Sequence, residues 1–168
     1  RLVAVDDAIR TRMIDAGASL LVEGEATRAE ERITFSFAIP LTVDNTACLD
    51  GFDGTSGIVV PESGRADVAL TLHFDHLFFD DYAVDGADMR FDAMAAVAVD
   101  GAIDLEALRA QNITDLRDAD GMPLTDGAEE ILYDPGALSL EGPTLRDYVV
   151  AASSTIGHFR GEGHCEYR

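Results

Sequence analysis

Hydrophobic and polar residues alternate most strictly over residues 32–39, where Ile33, Phe35, Phe37 and Ile39 fall on one face. A period of two sustained over that length predicts a β-strand with one buried face. Residues 40–44 read as its continuation along a sheet edge, and residues 19–26 as a shorter strand before it. A second strong alternation covers residues 67–74. There Val68, Leu70, Leu72 and Phe74 point one way, and Ala69, Thr71 and His73 the other. Between the two, Asp50-Gly51-Phe52-Asp53-Gly54-Thr55-Ser56-Gly57 predicts a turn-rich loop, followed by a short strand at residues 58–60.

The period changes elsewhere. Residues 3–16 place Val5, Ile9, Met13 and Ala16 at near-helical spacing and stop at Gly17. After Phe79, residues 87–97 and 105–110 look helical, and residues 144–156 are the best helix in the chain. Thr144 with Asp147 three residues on predicts a capping box, the carboxylate also facing the positive helix N-terminus. Gly157 stands where a glycine would end that helix. Strands followed by helices predict one α+β domain over residues 1–168, with an antiparallel β-sandwich-like core and helices mainly in the C-terminal half.

Composition narrows the partners. Thirty-two acidic residues against twelve basic ones, all arginine, give a formal charge of −20. Such a field repels nucleic acid and anionic membrane, favours solubility and attracts cations. Most of this charge reads as solvated surface. An apolar content of 47% is that of a globular chain, and no apolar run approaches the roughly 20 residues of a membrane span. The chain opens on Arg1 rather than methionine, which reads as a mature product, a fragment or a trimmed chain and leaves export open.

All four histidines fall in two clusters: His73 and His76, then His158 and His164. Imidazole is the commonest side-chain metal ligand, and a strong site draws ligands from separate parts of the chain. The clusters therefore predict a two-segment transition-metal site. His73 and His76 have opposite parity in an ideal strand, so a bulge or turn near Asp75 is needed to aim both at one ion. Asp75, Asp80, Asp81 and Glu162 are candidates either as direct ligands or as carboxylates that orient the imidazoles. Mixed imidazole and carboxylate donors suit zinc or copper(II). The bland alternative is a set of hydrogen-bonded core histidines.

Cys48 and Cys165 form no CxxC pair, which excludes zinc-finger and thioredoxin-type motifs. An exported chain would join them in one disulfide, and a cytosolic one would bury them as free thiols. A Cys48–Cys165 bridge would fasten His164 near the end of the first strand system. His73 would then lie within reach if the two strong strands pair in one sheet. The acidic turn around Asp100 and Gly101 has the glycine of a calcium loop, but alanines stand at its essential ligand positions. No phosphate loop, nucleophile elbow or dinucleotide fingerprint is present, and Asn112-Ile113-Thr114 is a glycosylation triplet.

The stretches around His73–Asp80, around Met89–Ala95 and from Gly157 to Cys165 resemble exported bacterial lipoprotein and periplasmic domains of GC-rich, myxobacteria-like genomes. In general style these are similar to periplasmic, copper-associated MbnP-like domains. The resemblance covers residues 12–168. It implies an exported β-rich domain with a histidine metal site, and a fuller acidic loop where this chain has Asp100-Gly101. The functional expectation is an exported protein that captures, buffers or delivers copper or zinc. The alternatives are a metal-dependent enzyme with an open coordination position, and a structural or adhesive surface module without metal. Ligand count separates the first two.

Overall fold

A computed structural model describes residues 6–84 and 87–167, an α+β fold. Helix α1, Asp7–Asp15, starts where the Asp6 carboxylate accepts from the amides of Ala8 and Ile9. It lies on the surface and buries none of its residues; Val5, the first apolar position expected on its face, lies outside the described residues. Strand β1, Leu20–Arg28, then forms a hairpin with β2, Glu31–Ile39, in a register running from Leu20↔Ile39 to Arg28↔Glu31. Thr46 ends a short strand β3, Asn45–Thr46, and β4 is Leu70–Leu72. A 3-10 turn, Phe74–Phe78, follows β4 directly.

The next elements are helix α2, Asp92–Ala95, strand β5, Ala102–Asp104, and a 3-10 turn at Glu106–Ala110. A small ribbon of β6, Thr125–Asp126, and β7, Glu129–Glu130, precedes helix α3, Leu145–Ala152. The chain closes with a 3-10 turn Ser153–Thr155, β8, Gly157–Phe159, and β9, Glu166–Tyr167.

β2 is the central strand, antiparallel to β1 and parallel to β5. Its alternation is realised as expected: Ile33, Phe37 and Ile39 are buried, and the Phe35 ring packs against Phe37, Phe78 and Phe91. α3 contributes Leu145, Tyr148 and Val149 to the same core. Its start is the capping box read from sequence: Thr144 Oγ1 accepts from the Asp147 amide while the Asp147 carboxylate accepts from the Thr144 amide. The buried Tyr148 hydroxyl donates to the Phe79 carbonyl (3.1 Å), tying α3 to the turn that carries His76.

Several expectations are revised. Outside the three-stranded β1–β2–β5 sheet the described strands form only two-stranded pairs, β4 with β8 among them, so no second sheet of sandwich size is present among the described residues. The strand expected at residues 67–74 shrinks to Leu70–Leu72, and Val68, Leu70, Leu72 and Phe74 stay exposed. Residues 58–60 and 40–44 form no strand; Val59 and Val60 are solvent-exposed. The helix expected from residue 87 begins only at Asp92. Its first residues are committed to another ladder, with Asp80 N donating to Asp88 O and Arg90 N to Phe78 O. Gly157 does not end α3 in a left-handed conformation; the helix tightens into a 3-10 turn and Gly157 opens β8.

The segment behind β8 is clamped on its other side by residues 48–51. Leu49 N donates to His164 O (2.9 Å), Gly51 N to Arg160 O (3.1 Å), and Arg160 pairs with Asp50. The backbones approach so closely that a Cβ on Gly163 would collide with Leu49 O and Phe159 O, and one on Gly51 with Arg160 O. Cys48 and Cys165 are joined in a disulfide beside the β3–β9 pair. Closing a loop of 117 residues removes roughly 4 to 5 kcal/mol of unfolded-chain entropy. Urea unfolding of Cys48→Ser is accordingly expected to show a loss of about that size. A loss below about 1 kcal/mol would show the bridge to be incidental to the fold.

Candidate metal centre

Backbone pairing brings the two histidine clusters together. β4 and β8 run antiparallel with Leu70↔Phe159, Thr71↔His158 and Leu72↔Gly157 in register, and the ladder is extended by His73 N donating to Ile156 O (2.8 Å). Residues directly opposite in such a pair share a face, so His158 lies on the side of Thr71 and His73, away from Leu70 and Leu72. At His73 the strand gives way to the 3-10 turn. The turn is closed by His76 N donating to His73 O (3.3 Å), which brings His76 back beside His73 and solves the parity problem between them. The ring centroids stand 4.4 Å (His73–His158), 5.1 Å (His76–His158) and 5.8 Å (His73–His76) apart. One ligand nitrogen from each lies within 4.8 Å of the other two.

Hydrogen bonding prepares the imidazoles. His76 Nδ1 is 2.9 Å from Thr155 Oγ1, and that hydroxyl donates its own hydrogen to Ala152 O (2.8 Å). The hydroxyl must therefore accept from His76 Nδ1–H, a tautomer assigned from the network, leaving the Nε2 lone pair free. Handing the second nitrogen to an oxygen is how metal-binding histidines are commonly oriented. Nothing in the sequence marked Thr155, which lies in a plain Ser-Ser-Thr run beyond α3. His158 is 5% exposed, and its Nδ1 is buried without a hydrogen-bond partner. A buried orphan of that kind is rare and calls for a ligand or another explanation.

Burial, reinforced by the neighbouring His73 and His164 rings and opposed by Glu162, pushes the His158 pKa below the ordinary histidine value. Burial also lowers that of His76, with His158 and His73 acting in the same direction and Asp75 against them. Both rings are thus held neutral, the form in which imidazole binds a metal.

The remaining candidates divide. His164 is exposed, its ring 5.3 Å from that of His158, and does not belong to the close trio. It lines a cavity of about 370 Å³ together with His76, His158, Phe79 and Asp81. Asp81 Oδ1 accepts from the Ala83 amide (2.6 Å). Asp75 is exposed and touches the site only through its charge. Asp80 serves the scaffold, its carboxylate paired with Arg90 and accepting from Asp88 N. Glu162 stands over the gap between two rings, with Oε1 3.5 Å from His73 Nε2 and Oε2 3.8 Å from His158 Nδ1. The disulfide anchors the segment that bears His164, but β4–β8 pairing is what joins the clusters.

No protein-family model, curated protein or solved structure matches the chain.

A folded-state histidine pKa below the unfolded one means that the unfolded chain binds protons first as pH falls. The contribution of His76 and His158 is therefore complete above about pH 6.5 and is lost progressively below it. In chelator-treated protein, urea midpoints are expected to fall between about pH 7.5 and 5.5. Replacing His158 or His76 by Gln should flatten that fall. A flat native profile would contradict the assignment.

Proposed function

We propose that this is an exported protein that captures, buffers or delivers a transition-metal ion through His73, His76 and His158. The observation that carries the reading is the buried, unpartnered Nδ1 of His158 inside a three-imidazole cluster. A core histidine kept only for packing would hydrogen-bond an oxygen; the oxygen beside this Nδ1, Glu162 Oε2, stands 3.8 Å away, beyond hydrogen-bond reach. Neutral imidazoles suit zinc and copper, and copper(II) fits this donor set better than copper(I), which prefers sulfur. The disulfide supports an oxidising compartment. Similarity in style to exported MbnP-like domains points to copper. The charge of −20 raises the local concentration of any cation. Among the described residues no helix is long and apolar enough to cross a membrane. A metal-dependent enzyme is the second reading, favoured by the cavity beside His76 and His158 with His164 on its wall.

Dialysed native protein is expected to retain about one equivalent of zinc or copper(II), and His73→Ala and His158→Ala each to weaken binding at least tenfold. His164→Ala, outside the trio, should lose far less. Equilibrium dialysis with elemental analysis, beside circular dichroism to confirm folding, measures all four proteins. Failure of the native protein to retain metal would overturn the reading.

A further inference from the structure

We infer that Glu162 is the fourth ligand of this centre, so that the ion is held by three imidazoles and one carboxylate. The inference rests on the metal-binding reading above. Its basis is a pair of distances: Glu162 Oε1 to His73 Nε2, 3.5 Å, and Glu162 Oε2 to His158 Nδ1, 3.8 Å. Both exceed the roughly 2.7–3.2 Å of an N–H···O bond. They are close to the edge of a coordination tetrahedron, because donors about 2.0–2.2 Å from a central ion stand about 3.3–3.6 Å apart. One carboxylate thus faces two histidine nitrogens, one oxygen to each, the first at ligand-to-ligand spacing and the second 3.8 Å away, just beyond it. One of those nitrogens is the buried atom that has no hydrogen-bond partner.

The backbone explains how an exposed side chain is brought to the rings. Arg160 and Gly161 both take left-handed conformations, with φ of 50° and 87°, and turn the chain back at once. Phe159 N then donates to Gly163 O (2.9 Å), closing the turn on which Glu162 sits. The packing of Gly51 and Gly163 locks the turn from behind. The stem is fixed, and the side chain is 73% exposed. Three imidazoles therefore approach from the protein and one carboxylate from the solvent side.

The consequence is selectivity by oxidation state. An anionic oxygen donor stabilises a dication and adds little for copper(I), whose preference is for soft ligands. Glu162 thus favours binding of copper(II) over copper(I).

Glu162→Gln keeps the size of the side chain and removes its charge. Competition titrations against chromophoric chelators, one for each oxidation state, are expected to show copper(II) affinity falling at least tenfold and copper(I) affinity changing less than threefold. The copper reduction potential rises accordingly. Copper(II) affinity within twofold of native would overturn the assignment while leaving the three-histidine site standing. An equal fall for both oxidation states would make Glu162 structural and would likewise overturn it. If His73→Ala and native protein both fail to bind either form, the metal-binding reading itself is what fails.

Discussion

The antiparallel pairing of β4 with β8 is the contact on which the site depends. It joins residues 70–72 to residues 157–159 and carries His158 onto the face already occupied by Thr71 and His73. A slip of one residue would turn His158 to the opposite face and leave its imidazole among Leu70 and Leu72. The register is defended from both sides. His73 N bonds to Ile156 O and Arg160 N to Ala69 O at the two ends of the ladder. Behind it, the glycine contact of residues 51 and 163, the Asp50–Arg160 pair and the disulfide hold the returning strand in place. A two-stranded ribbon alone is marginal in water; here the rest of the fold is its support.

Much of the scaffold was legible because its signals are local. β2 could be read from alternation alone, since it lies between two strands with one face on the core. The start of α3 could be read from Thr144 and Asp147, two groups that satisfy each other's backbone within a single turn. Elements whose state depends on distant partners were not legible. Residues 88–90 look helical but spend their backbone bonds on residues 78–80. Residues 67–74 alternate like a core strand, yet no described element covers their apolar side, and Leu70 stays 76% exposed. Alternation says which residues share a face. It does not say what that face meets.

The same division runs through the site. Histidine placement pointed to His73, His76 and His158 before any fold was known, and parity put His73 on the polar face of its strand. The 3-10 turn that aligns His76 with His73 was hidden, because Phe74, Leu77 and Phe78 suit several backbone conformations equally well. Thr155 carried no signal, since its role arises only from where α3 ends. His164 was drawn into the set by proximity in sequence to His158. The turn at Arg160 and Gly161 instead sends Glu162 towards the rings and leaves His164 on the cavity wall.

Burial then orders the donors. His158 lies deepest, His73 and His76 are half-covered, and Glu162 stands in solvent. Desolvation favours the uncharged form of His158 and His76, so their lone pairs can converge without the repulsion that imidazolium ions would bring. A cation placed among them gains most from an anionic partner at the one side where solvation costs that partner least. That side is occupied by Glu162, whereas three less exposed carboxylates serve the scaffold: Asp80 pairs with Arg90, Asp50 with Arg160, and Asp147 caps the start of α3. In a chain of net charge −20, twelve arginines leave most of the thirty-two carboxylates unpaired, and what sets Glu162 apart from them is its place over the gap between His73 and His158.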